Sequence, residues 1–315
     1  VSSGRMAAKA SCEAPSVKTL ALAPRSFITL LLLAAMLAGS VVAARMAFDS
    51  GTSVYTALAV RSAVTACVLL MLCRSRHVRA TPSGRQGLML GVIGLMLGLQ
   101  GICLYSAVQL LSVGLAVLTF NTYPLWIGLA CWLLYRQRPG RKILLAMPVV
   151  LIGLALALDV PAGTAALGAS DAWARQKLGV LLALVAAALY AMALTLTQHE
   201  VFELDGRFRS ASTLLVVSAV ALSAIGIGGE ATWPGSTSGW WGLAGLTVLY
   251  GSAITMLFTV LPKLGVAGNS PIMSIEPVMA MMLAAWILGQ QVNSQQVLGA
   301  LAVVGVVMLL GLRKA

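Results

Sequence analysis

Charge is what this sequence has least of. Only 10% of its 315 residues are charged, nine of them acidic, and histidine occurs twice. A soluble domain carries about 25% charged residues. Water would not hold such a surface in solution, which excludes a soluble enzyme or binding module. The five cysteines form no CxxC pair, so a zinc site lacks ligands at the usual spacings. No HExxH, Walker A or GxSxG motif occurs, and these are the short signatures of zinc peptidase, nucleotide-driven and serine-hydrolase chemistry. Long polar stretches are missing too, and intrinsic disorder needs them. The expectation is a protein that is not an enzyme, with no metal and no cofactor.

What is present is apolar sequence. Hydrophobic residues make up 59% of the chain. They fall in ten runs, 26–48, 54–73, 87–110, 113–135, 143–158, 178–197, 212–228, 240–261, 266–288 and 297–312. A spanning helix takes about 20 apolar residues. Spanning β-barrels would show short alternating segments instead. Lipid requires every backbone polar group to be satisfied within the segment, so the runs are read as helices. The more polar stretch 159–177 divides them five and five. Basic residues precede the first run, as they do in a signal peptide, but the run is long for that, and the five-plus-five count keeps it as a helix.

The net charge of +12 would suggest nucleic acid in a soluble protein. Its distribution says otherwise. With the N-terminus in the cytoplasm, the inner ends and loops hold 17 Lys and Arg: four before Ser26, four over 74–85, four over 136–142, then Arg207, Arg209, Lys263, Arg313 and Lys314. The outer loops hold three, Arg45, Arg175 and Lys177. Positive charge gathers on the cytoplasmic side of membrane proteins. The asymmetry predicts both termini in the cytoplasm and the bilayer, not nucleic acid, as the partner. The localisation expected is a cytoplasmic (inner or plasma) membrane.

The two sets of runs align at an offset of 153, which puts Tyr123-Pro124 over Glu276-Pro277 and Leu145 over Leu298. Each half then reads helix, short turn, helix with a central X-Pro, polar turn, helix. A repeat of five helices must lie in the membrane in the opposite sense to its copy. Inverted repeats are a recurrent plan of secondary transporters, with the solute site at the repeat interface near midplane. The predicted fold is therefore an all-α polytopic membrane protein: a cytoplasmic segment 1–25, a first repeat 26–158, an outside linker 159–177 and a second repeat 178–312.

At these residues the chain resembles the drug/metabolite transporter superfamily, EamA-type. Gly39-Ser40 followed by Arg45 resembles its first-helix pattern, and Leu58-Ala59-Val60-Arg61 its second. Ser112-Val113-Gly114-Leu115-Ala116 through Tyr123-Pro124-Leu125 resembles the third-to-fourth-helix hallmark. Glu276-Pro277-Val278 through Leu288-Gly289, then Gln296-Val297-Leu298-Gly299, resembles the ninth-to-tenth. The chain departs from the pattern in lacking the first-helix Trp. It also has Arg136-Gln137 and Gly289-Gln290 where the family usually has Gly-Glu. The resemblance implies ten helices in two repeats and transport of a small organic solute.

Few residues could carry the chemistry. Glu276 is the one carboxylate well inside an apolar run, and an intramembrane ionisable group is a functional candidate by default. Its roles stay open: proton carrier, solute contact, or partner for backbone groups freed by Pro277. Arg61 is the strong cation inside a run. It either attracts an anionic group such as an amino-acid carboxylate or snorkels to the outer interface. Pro124 and Pro277 predict two broken or kinked helices facing each other across the repeat axis. Irregular backbone at membrane depth is tolerated where it lines a cavity. Asn121, Tyr123 and Trp126 lie near the first kink, with Asn121 and Pro124 on one helical face. Asn269, Met273 and Glu276 share a face by the same rule. These residues are the candidate cavity lining, with interhelical hydrogen bonding as the alternative for the asparagines. Gln100, Tyr105 and Tyr190 are further polar groups in apolar runs. Gly87, Gly91, Gly94, Gly98 and Gly101 recur at period 3.5, as a packing seam does.

The function expected is a secondary transporter, an exporter of an amino acid or related metabolite, working by alternating access, either proton-coupled or as a uniporter. A nucleotide-sugar or drug transporter on the same fold is the alternative. A polytopic enzyme or a receptor is the rival from another class.

Overall fold

The computed structural model describes residues 24–76, 82–136, 170–259 and 275–291, with 294, 296–302 and 305 beyond them. Among these residues the chain forms nine helices: α1 Pro24–Asp49, α2 Val54–Ser75, α3 Gly84–Leu110, α4 Val113–Phe120, α5 Tyr123–Tyr135, α6 Ser170–Glu200, α7 Gly206–Gly226, α8 Thr237–Thr259 and α9 Glu276–Leu288. Seven spans are long and apolar enough to cross a membrane, counting Val113–Tyr135 as one, and Glu276–Leu288 is a shorter apolar helix. The expected fifth run, 143–158, lies outside the described residues, and so does most of 297–312.

The helices carry apolar residues all round, as buried or lipid-facing helices do. Met71, Leu133 and Trp286 are more than 70% exposed while the opposite faces fill the core. Starts are set by short polar side chains. Ser53 accepts from the Thr56 N–H, and Ser83 with Gln86 forms a reciprocal capping box, which satisfies N–H groups that have no partner within the helix. Asp205 accepts from the Arg207 N–H and opens α7 at Gly206. That is six residues before the start expected at 212, because the polar turn Gly-Arg-Phe-Arg hides the beginning of the helix. α6 begins at Ser170, inside the stretch 159–177 expected as a linker.

The fourth run is broken, one of the two forms expected at Pro124. α4 ends at Phe120, Asn121 and Thr122 form a turn, and α5 begins at Tyr123 with Pro124 in its first turn. There the missing N–H of proline costs nothing. α9 repeats this local structure at the 153-residue offset. Both helices have 13 residues, a proline in second position and a helical residue just ahead of the first, Thr122 in one and Ile275 in the other. Both end on a left-handed residue whose N–H reaches back five positions, Arg136 to the Cys131 carbonyl and Gly289 to the Ala284 carbonyl.

Each helix of the first half packs chiefly on helices of the second. α1 lies against α8 and α9, α2 against α7 and α8, α3 against α6 and α7, α4 against α9 and α6, and α5 against α6. The main core is built from Val42, Leu58, Val108, Val113, Val117, Leu118, Val217 and Leu246 with many alanines. Of the five glycines on α3, Gly94 and Gly98 lie against Val216 and Val220 of α7, and Gly101 lies against Leu58 of α2. A methyl group on Gly87 or Gly91 would meet nothing within 4 Å. The close approach is thus confined to three of the five positions.

Contacts sort the helix ends into two groups. At one end Arg45 of α1 donates from Nη1 to the carbonyls of Val108, Gln109 and Leu111 at the end of α3. There, too, the Ser53 N–H meets the Thr232 carbonyl, the Gly235 N–H meets the Ser50 carbonyl, and the Val113 N–H meets Gln290 Oε1. At the opposite end α3 begins and α5 and α6 finish, joined through Arg85, Tyr135 and Glu200.

Candidate solute cavity

The broken helix sets Tyr123 at the first position of α5, just after the turn 121–122. Its ring meets Tyr190 of α6 edge to face at 5.2 Å, and Phe120 at the end of α4 packs on both, at 5.7 Å from Tyr123 and 5.3 Å from Tyr190. Glu276, the first residue of α9, lies within electrostatic reach of Tyr123 and of Tyr190. Tyr123, Tyr190 and Glu276 are all only half-buried, although elements from both halves surround them.

Tyr250 of α8 extends the same group. It lies within electrostatic reach of Tyr190 on one side and of Tyr105 on the other. Arg61 of α2 ends the run, its guanidinium carbon 3.8 Å from the Tyr250 ring centre and 4.9 Å from that of Tyr105. Arg61 is 8% exposed. Of its two expected destinations, the outer interface is therefore not the one it takes. Among the described residues no carboxylate pairs with Arg61, and its Nε is buried without a hydrogen-bond partner.

The other expected residues fall differently. Asn121 is buried, and its amide donates to the Val117 carbonyl at 2.9 Å, tying off the end of α4. The face that Asn121 and Pro124 were expected to share requires one continuous helix, and the break at 121–122 removes it. Trp126 is half-buried on α5, one turn past Tyr123. Asn269 and Met273 lie outside the described residues. Gln100 is buried on α3.

A second polar cluster was not expected from sequence. Glu200 at the end of α6 pairs with Arg85 at the start of α3 at 2.9 Å and accepts from the Tyr135 hydroxyl at 3.4 Å. His199 stacks on the Tyr135 ring at 3.8 Å, and its Nδ1 donates to the Thr195 carbonyl. These contacts join both halves at one end of the bundle. No local sequence pattern links residues 85, 135 and 200. Among the described residues no group of three His, Cys, Asp or Glu could hold a metal ion.

Among the described residues, seven spans are long and apolar enough to cross a membrane, which makes the chain a multi-pass membrane protein. The EamA-like transporter family model matches residues 25–158 and 177–312, and the chain belongs to that family, within the drug/metabolite transporter superfamily. No curated protein matches the sequence. Among solved structures, a crystal structure described only as that of a protein is similar, with a TM-score of 0.58 and 19% identity over 89% of this chain and 96% of that one. At that identity the likeness concerns the fold alone.

Proposed function

We propose that the protein is a secondary transporter, exporting a small organic solute such as an amino acid or related metabolite by alternating access. The observation that carries this reading is the meeting of the broken α4–α5 helix with the start of α9, where Tyr123 and Glu276 come from opposite halves. Family membership supplies the transporter class.

The ten-helix, inverted-repeat plan is part of the same proposal. Two observations support it. The first is the matching 13-residue helices with matching ends. The second is the packing order. Exchanging the halves in the expected register (α1 for α6, α2 for α7, α3 for α8, the α4–α5 pair for α9) turns the α1–α8 contact into α6–α3, α2–α8 into α7–α3, and α1–α9 into α6–α4 and α6–α5. Every one of these is a packed pair. Both termini are placed in the cytoplasm of an inner or plasma membrane, from the 17-to-3 distribution of basic residues. With that orientation the Arg85–Glu200–Tyr135 cluster lies at the cytoplasmic end of the bundle.

In the proposed cycle the solute sits against Tyr123, Trp126 and Glu276. The halves rock to open either end. Protons are the proposed coupling ion, carried by Glu276. The test is efflux of a metabolite panel from proteoliposomes, normalised to folded protein, with Tyr123→Ala compared with wild type. Solute-specific efflux by wild type, altered in apparent affinity by a folded Tyr123→Ala, supports the site. Wild-type flux unaffected by that change places the cavity elsewhere. Selective flux of nucleotide sugars or drugs would favour the other substrate classes on this fold.

A further inference from the structure

We infer that Arg61 is the anion-binding end of the solute cavity and that the transported solute carries a carboxylate. The inference rests on the cavity reading above and names the chemistry of its ligand.

A guanidinium presents all five of its donors around its edge and none from its faces. Arg61 lies over the rings of Tyr105 and Tyr250. Aromatic faces attract a cation, but they accept none of its in-plane N–H groups as a carboxylate would. The rings fix the group, the Tyr105 hydroxyl accepts one of its hydrogen bonds, and part of its edge stays without a partner. The buried, unpartnered Nε records this directly. The contrast with Arg45 is instructive. Arg45 pairs with Asp49 at 2.8 Å and donates to three carbonyls, so its donors are used within the protein.

The placement of Arg61 is built by several elements. Gly101 of α3 lets that helix approach α2 so closely that a methyl there would come within 2.8 Å of Leu58 and 3.7 Å of Arg61 Nη2. Tyr105, one turn further on the same face, is thereby brought over the guanidinium. Tyr250 reaches it from α8, in the other half of the chain.

An unpaired cation in an apolar bundle carries a large desolvation cost that a matching anion offsets. The nearest intramembrane carboxylate along the tyrosine run, Glu276, does not pair with Arg61. Glu276 sits at the other end of that run, beyond Tyr190. Planar, bidentate recognition of a carboxylate is the chemistry a fixed guanidinium serves best. A solute carboxylate therefore completes the site.

The experiment uses the full chain in proteoliposomes preloaded with three mixtures: the proteinogenic amino acids, the matched amines that lack the carboxylate, and the matched acids that lack the amine. Efflux of each compound is followed by mass spectrometry. Wild type is expected to release at least one amino acid about tenfold or more faster than its matched amine, since a site built around a hydrogen-bonding group rejects analogues that lack it. Arg61→Gln is expected to bring that ratio toward one. Arg61→Lys, which keeps the charge but loses the fork, is expected to fall between them and serves if the Gln variant does not fold. Where acids are released, their efflux should depend on Arg61 in the same way. A wild type that releases amines as fast as amino acids overturns the inference. So does an unchanged ratio in folded Arg61→Gln or Arg61→Lys. A wild type that moves none of these mixtures but does move nucleotide sugars or cationic drugs overturns the carboxylate assignment and leaves the transporter reading standing. One that moves no solute at all overturns both.

Discussion

Gly94 of α3 and Val216 of α7 lie so close that a methyl group on Gly94 would come within 2.5 Å of the Val216 Cβ. Neither residue leaves room for the other to grow, and the Thr213 carbonyl stands 3.1 Å away on the same side. Gly98 makes the equivalent contact with Val220 at 3.0 Å. In lipid, close helix packing replaces the hydrophobic effect as the force between helices. Gly94→Leu is expected to destabilise the bundle by about 1–3 kcal/mol, the usual range for overpacking. Gly87→Leu, where nothing stands within 4 Å, should be tolerated. Thermal unfolding and the monodisperse fraction in detergent measure both. Equal loss at the two positions would mean that the α3–α7 approach is not what the substitution disturbs.

That contrast also marks how far the sequence could be read. The glycine spacing placed five residues on one face, because helical period is a property of the chain alone. Which of them meet a neighbour depends on where α7 crosses α3, and no local pattern encodes that. The same limit explains the cavity. Tyr123 and Glu276 stood out because Pro124 and Pro277 follow them and because a carboxylate in an apolar run is conspicuous. Tyr250 did not, since a tyrosine in an apolar helix has no distinguishing neighbours. Its meeting with Arg61 is a fact of tertiary packing. The start of α7 was legible in principle, as Asp205 is a good N-cap residue, but the charged first turn masked it. Whether the helix at 121–122 is broken or kinked stayed open, because proline marks a fault in a helix without saying how many residues leave it.

Arg45 and Asp49 form an ion pair one turn apart at 2.8 Å, yet the two should not matter equally. Asp49 is 54% exposed, and exposed pairs contribute little. Arg45 also caps α3 through three carbonyls, at the end of a helix whose dipole favours a cation. Arg45→Ala is expected to cost about 2 kcal/mol, in the range for hydrogen bonds to charged groups, and Asp49→Ala less than 1 kcal/mol or so. Thermal midpoints of the two variants decide it. Equal midpoints would assign the effect to the ion pair.

Arg136 is the one non-glycine residue of positive φ among those described, at φ 53° and ψ 25°. Gly289 occupies the matching place after α9 at φ 64° and ψ 20°. A left-handed conformation costs an L-residue about 1–2 kcal/mol that glycine escapes, and glycine is the usual residue at such helix ends. Arg136→Gly is expected to raise stability by about 1 kcal/mol once the greater freedom of glycine in the unfolded chain is set against the gain. The converse change, Gly289→Arg, should lower it by a similar amount. Unfolding of the two variants in detergent measures the difference. A fall in stability for Arg136→Gly would mean that the Arg136 side chain contributes more than its backbone strain costs.

Glu276 tests the proposed coupling. A carboxylate that carries a proton must change charge during the cycle. Gln keeps the shape and the hydrogen-bonding capacity of the neutral acid but releases no proton. Under the coupling proposal Glu276→Gln should fold, bind solute and exchange it across the membrane without a gradient. It should lose accumulation driven by a pH difference. A structural role gives another pattern. Glu276 opens α9 just ahead of Pro277, in a first turn whose N–H groups have no partner within the helix. Gln would then support normal gradient-driven transport, whereas Ala would destabilise the start of the helix by leaving those groups unpaired in an apolar setting. Flux into proteoliposomes with and without an imposed pH gradient, normalised to folded protein, separates the two. Undiminished pH-driven accumulation by Glu276→Gln would remove the proton-carrier role. A wild type indifferent to the gradient would remove it as well, and would make the protein a uniporter whose direction is set by the solute gradient alone.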